Sequence, residues 1–200
     1  FDEGVRFASE GFVQTALVNQ PEIQRELQRW RAKCLAELKR YDEAVNILEE
    51  VLKQSMTESS RENEAETLFQ LGVLFEKSGD FDKSENYLKR AKELATWSGS
   101  SELVIQSNDA LASVYRQTFN TDMELMTRNS NIALNQQSND MSGVAIQNFE
   151  IGNAYLQKGD INLAENFIVK GKDLSPIHSK DGKLIQGEYS SAELRQGALA

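Results

Sequence analysis

The chain has 200 residues, 40% hydrophobic and 26% charged, with a formal net charge of −9. That composition is ordinary for a folded protein, but the acidic balance argues against nucleic acid as a ligand, whose phosphates need a basic surface. No apolar run approaches the roughly 18 residues of a membrane-crossing helix, and a single cysteine, Cys34, rules out an internal disulfide framework.

Residues 1–20 come first. The segment Phe1-Asp2-Glu3-Gly4 stands 40 residues before Tyr41-Asp42-Glu43-Ala44. It predicts the second helix of a preceding repeat, so the chain is expected to begin inside a longer array. The absence of an initiating Met and of a signal-peptide pattern fits that expectation. Residues 21–57 read as a helix pair joined at Lys39-Arg40.

Residues 60–97 show the physics of one pair. Leu68, Leu71, Gly72 and Phe75 recur at helical spacing and form one apolar stripe. Gly79 supplies a left-handed stop and Asp80 a cap for the next helix. Ser84, Leu88, Ala91 and Leu94 form the facing stripe. Small residues at 72, 84 and 91 let the two backbones approach closely.

Residues 101–137 keep the first helix, with Ala112 and Tyr115, and turn at Phe119-Asn120. Glu124, Arg128 and Asn131 then fall where small or apolar residues belong, so this second helix is expected to be displaced or shortened. Residues 141–176 restore the plan with Ile151, Gly152, Tyr155, Gly159-Asp160, Ala164, Ile168 and Leu174, closed by Pro176. Residues 181–200 stand where the first helix of a following repeat belongs, with Ala192 in the small-residue column.

The period is explicit in four columns, each stepping by 40 residues. They are Ala32, Gly72, Ala112, Gly152; Leu35, Phe75, Tyr115, Tyr155; Ala44, Ser84, Glu124, Ala164; and Gln54, Leu94, Leu134, Leu174. Such self-similarity marks a stacked-repeat architecture.

The segments Leu71-Gly72-Val73-Leu74-Phe75 with Gly79-Asp80-Phe81-Asp82-Lys83-Ser84, and Ile151-Gly152-Asn153-Ala154-Tyr155 with Gly159-Asp160-Ile161-Asn162-Leu163-Ala164, resemble the tetratricopeptide repeat. The resemblance implies an all-α fold, a right-handed α-solenoid of stacked antiparallel helix pairs. The usual repeat of that family is about 34 residues. The longer period here is similar to arrays in bacterial sensor and regulatory proteins.

The resemblance also implies a groove lined by the first helices. Carried over, its positions include Arg29, Trp30 and Lys33; Phe69, Gln70, Val73 and Lys77; Ser113 and Arg116; and Phe149, Glu150, Asn153 and Gln157. This mix of amides, single charges and aromatics suits an extended peptide or an amphipathic helix. The carboxylate clamp of chaperone-binding members is not expected. Arg29 fits one of its roles, but Lys33 stands where Asn is wanted, and Gln106 and Ala110 replace two basic residues.

Several residues carry two readings. Arg25, Arg29 and Lys33 form either a contact for an acidic partner or a solvated face paired with Glu22, Glu26 and Glu37. Trp30 either anchors a partner or packs against Phe12 and Val13, whereas Trp97 is expected in the core. Cys34, beside the packing columns, reads as an inert small residue. His178, the single histidine, reads as a surface-turn residue and cannot build an acid–base or metal constellation alone.

No phosphate-loop, dinucleotide, zincin or nucleophile-elbow motif occurs. No catalytic, cofactor-binding or metal-binding residue is expected. The expected function is a scaffold that holds a protein or peptide, another domain of the same polypeptide included. One alternative is a signal-input module of a bacterial kinase, diguanylate cyclase or transcription regulator whose output domain lies outside these residues. Another is the substrate-recognition arm of an enzyme. The oligomeric state stays open, as does the compartment, with the cytoplasm the expected one.

Overall fold

A computed structural model describes residues 1–17, 20–58 and 60–174. Its elements are α1 (Asp2–Leu17), α2 (Pro21–Glu37), α3 (Tyr41–Thr57), α4 (Arg61–Ser78), α5 (Phe81–Ser98), α6 (Ser101–Gln117), α7 (Thr121–Gln137), α8 (Met141–Lys158) and α9 (Ile161–Leu174). Among the described residues there is no strand. Pro176, His178 and the following-repeat helix expected over 181–200 lie outside the described residues. The chain divides into two compact units, Phe1–Val114 and Tyr115–Ala200, the division falling within α6.

In the N-terminal unit α2 packs on α3, and α4 on α5. The core gathers Ala32, Leu35, Ala36, Ala44, Leu48, Leu71 and Leu74, with Val5, Tyr41, Phe75 and Tyr87 packed against it. Each fully buried leucine contributes about 1.5–3 kcal/mol. Close helix approach depends on small residues at the crossings. Ala44 and Ser84 are fully buried, and the Ser84 hydroxyl donates to the Gly72 carbonyl at 2.8 Å, so its burial leaves no polar group unpaired. The rings of Phe75 and Tyr87 stack at 5.4 Å across α4 and α5.

The turn between those helices is made by Gly79 at φ 85. Its N–H reaches the Glu76 carbonyl at 3.0 Å, and the Asp80 N–H reaches Phe75 at 2.9 Å. The Asp80 carboxylate then accepts from the Lys83 N–H and starts α5.

The C-terminal unit holds α7, α8 and α9. Leu125, Ile151 and Ala154 form its core, with Ile132, Tyr155 and Phe167 against them. Tyr155 and Phe167 stack at 5.5 Å, at the columns Phe75 and Tyr87 occupy in the other unit.

Here the structure corrects the sequence reading. The second helix of the third repeat is not shortened: α7 is a regular helix of 17 residues, packed on α8. Glu124, Arg128 and Asn131 enter the interior at 1%, 5% and 0% exposure. They do so because they satisfy one another and their neighbours. Glu124 accepts from Arg116 at 2.7 Å and from Arg128 at 3.0 Å. Glu150 accepts from Arg116 and lies 3.4 Å from Arg128. Two guanidiniums thus meet two carboxylates, so the seam is neutral.

Candidate partner-binding groove

An open cleft of about 300 Å³ lies between α2 and α4 in the N-terminal unit, lined by Ala32, Lys33, Ala36, Leu48, Phe69, Gln70, Val73, Leu74 and Lys77. On the α2 side it is bordered by Ala32 and Ala36, which are too small to fill the space that Phe69 and Val73 border. Five residues expected in the groove, Lys33, Phe69, Gln70, Val73 and Lys77, come together around this cleft. Its floor is apolar and its rim carries two ammonium groups.

The rim charges are held loosely. Lys77 donates to Glu37 on α2, an exposed pair. The hydrogen bond from Lys77, and then its charge, hold the Glu37 carboxyl below its ordinary range. Lys33 lies over the Trp30 ring, 5.2 Å from its centroid. Trp30 does not line the cleft; it is 57% exposed, so it is not a core residue. The amide of Gln70 is half-buried at the cleft wall. On α6, Ser113 donates to Glu76 on α4.

Arg29, another expected groove residue, and Arg25 of the basic stripe do not line this cleft. Arg25 and Arg29 are each 4% exposed, so neither belongs to a solvated face. Arg25 donates to Glu58 at 2.5 Å. Arg29 donates to Glu26, lies 3.8 Å from Glu66 and reaches Asn63 at 3.4 Å. These contacts tie α2 to α4 and to the end of α3. Lys33, the third member of the expected stripe, is exposed. The stripe is therefore two buried, ion-paired arginines and one exposed lysine.

In the C-terminal unit, Arg116 and Glu150 are engaged in the ion-paired seam. Burial pulls the Arg116 pKa down, but its hydrogen bonds to Glu150 and Glu124 outweigh that and leave it raised. The Phe149 ring lies over Gly171 of α9, where a Cβ would sit 3.1 Å from it. Asn153 is half-buried and Gln157 exposed.

Trp97 corrects another expectation. It is 68% exposed, and the Arg61 guanidinium covers its ring at 3.9 Å. Cys34 is partly buried near Gly4, where a Cβ would approach its sulfur to 2.8 Å. No group of three or more His, Cys, Asp or Glu among the described residues could hold a metal ion.

Residues 24–96 and 148–178 match the sequence profile of the tetratricopeptide repeat. Tetratricopeptide repeat protein 29 of Trypanosoma brucei brucei is 30% identical over 118 residues, which are 59% of this chain and 24% of that protein. The chain thus spans about a quarter of that relative's length. Among solved structures, BtubC (BKLC) from P. vanneervenii aligns with a TM-score of 0.69 at 19% identity, over 86% of this chain and 70% of that one. Nearly identical TPR-like repeats of a putative kinesin light chain from Podosopora anserina align at 0.70 and 15% identity, over 86% of each chain. At those identities the likeness is one of fold.

Proposed function

Since the chain belongs to the tetratricopeptide repeat family, we propose that it holds a peptide segment of another protein along the α2–α4 face of its N-terminal unit. A repeat scaffold serving protein interaction is the general role of the family. The finer reading rests on one observation, the apolar cleft rimmed by Lys33 and Lys77 with Gln70 at its wall. An apolar side chain of the peptide enters between Phe69 and Val73. The aliphatic stems of the two lysines extend the apolar surface while their ammonium groups stay in water. A carboxylate next to that side chain can replace Glu37 as the partner of Lys77. The Gln70 amide both donates and accepts, which suits the backbone of an extended segment.

The test is selection of short peptides from a random display library on the immobilised 200-residue chain, followed by anisotropy titrations against wild type and Val73→Arg. Val73 is half-buried at the cleft, so the substitution fills the cleft without entering the core. Selected peptides are expected to bind the variant at least about tenfold more weakly, or 1.4 kcal/mol, with unchanged helicity. Equal binding to both proteins, or no peptide selected at all, rules the reading out.

A further inference from the structure

Helices α2 and α4 run in the same direction: Glu37 meets Lys77 near their C-terminal ends, and Arg29 meets Glu66 nearer their N-terminal ends. Charge is ordered along the face they share. The cleft, with Lys33 and Lys77 at its rim, lies toward the C-terminal ends. About two turns closer to the N-terminal ends, Glu26 of α2 and Glu66 of α4 converge on a single guanidinium, that of Arg29.

That cluster is unbalanced. The Arg29 side chain is 4% exposed, whereas those of Glu26 and Glu66 are 53% and 44% exposed. Among the described residues Arg29 is the one cation paired with either carboxylate. One carboxylate is enough to neutralise the buried guanidinium. The other leaves a net negative charge facing water between the two helices. Neither lies in a first turn, where an acidic residue serves its own helix dipole. Glu22 and Glu62 do lie in first turns, and they add to the negative charge at this end of the face.

Resting on the cleft reading above, we propose that the bound segment carries a lysine or arginine that enters between Glu26 and Glu66. Val73 stands seven residues from Glu66 on α4, about 10 Å at 1.5 Å per residue. An extended chain covers that distance in about three residues. Lys77 stands four residues to the other side of Val73. The ligand is therefore a bipolar peptide. Its apolar anchor fills the cleft, an acidic residue lies on the Lys77 side, and a basic residue lies about three positions away on the opposite side. The opposite placement sets a carboxylate against Glu26 and Glu66 and an ammonium group against Lys33 and Lys77, so like charges exclude it. The net charge of −9 also draws a cationic segment toward the chain.

The probes are the peptides selected on the immobilised 200-residue chain whose binding Val73→Arg weakens. They are expected to share a lysine or arginine about three positions from the apolar anchor. Replacing that residue by glutamine is expected to weaken binding to wild type about two- to fivefold at low salt, the scale of an exposed ion pair. Glu66→Gln leaves Arg29 its pairing with Glu26. It is expected to weaken the parent peptide by a similar factor and the glutamine peptide not at all, with helicity unchanged. If Glu66→Gln loses helicity, the peptide substitution alone decides. Peptides that depend on Val73 but lack the basic residue, or bind as well without it, overturn the proposal and leave the cleft reading standing. Equal weakening of parent and glutamine peptides by a folded Glu66→Gln overturns it too. If no selected peptide depends on Val73, the proposal and the cleft reading fall together.

Discussion

Gly72 on α4 faces Leu88 on α5 so closely that a Cβ at position 72 would lie 2.5 Å from Leu88 Cγ. Both residues are buried, Leu88 at 0% exposure, and the backbone nitrogen of Leu88 would be only 3.2 Å away. Leu88 cannot swing clear, because its own backbone stands behind it. Gly152 repeats the relationship with Ile168, 2.6 Å from the added Cβ. Gly72→Leu is therefore expected to destabilise the protein by several kcal/mol, and Gly72→Ala by about 1–3 kcal/mol. Urea titration followed by circular dichroism measures both. A melt unchanged by Gly72→Leu would contradict this packing.

The seam on α7 makes an asymmetric prediction. Glu124→Ala leaves Arg128, 5% exposed, facing Arg116 with Glu150 as the shared carboxylate. Breaking one partner of a buried pair costs about 3–5 kcal/mol. Replacing Glu124 and Arg128 together by leucine keeps the Arg116–Glu150 pair balanced. That double variant is expected to be near neutral or more stable than wild type. Chemical unfolding of wild type, the single and the double variant separates these outcomes.

The rim charges of the cleft predict a preference among peptides. Lys33→Glu with Lys77→Glu places like charge beside Glu37. Peptides with a carboxylate next to their apolar anchor are expected to lose affinity, and neutral peptides much less. The affinity of the acidic peptides for wild type is expected to fall with added salt. Titrations of matched acidic and amidated peptides in low and high salt measure both effects.

Acid titration reads the Glu37–Lys77 pair. The Glu37 pKa is lowered in the fold, first by the Lys77 hydrogen bond and then by its charge. A carboxyl lowered on folding adds stability that is present above its ordinary pKa of about 4.3. That stability is lost as pH falls through the lower folded value. The advantage of wild type over Glu37→Gln is thus expected at neutral pH and to vanish on the acid side. As the pair is exposed, the difference is small and salt-sensitive. Thermal melts of both proteins across the acid range show it.

Intrinsic fluorescence reports on the indoles. Trp30 and Trp97 are 57% and 68% exposed. Acrylamide is expected to quench both in the folded protein, and unfolding is expected to move the emission little. Arg61→Ala uncovers the Trp97 ring and is expected to raise its quenching further, with less than about 1 kcal/mol lost, the scale of an exposed cation–π contact.

The sequence by itself determined the all-α helix-pair fold. Fold class rests on local physics: apolar spacing picks out helix faces, Gly79 and Asp80 mark a stop and a start, and Gly72 or Ala32 marks where two backbones must meet. It did not determine what each face meets. Arg25 and Arg29 share a periodicity with Lys33, yet the two arginines are buried and the lysine is exposed, because Glu58, Asn63 and Glu66 reach the arginines from other elements. Trp97 carries the apolar mass of a core residue but sits at a helix end, where Arg61 covers it in place of a core. The misfit of Glu124 and Arg128 was visible in the columns. What tertiary structure alone decided is how it was accommodated. Arg116 and Glu150 reach that pair from α6 and α8, so α7 carries charged and amide side chains on its buried face beside Leu125.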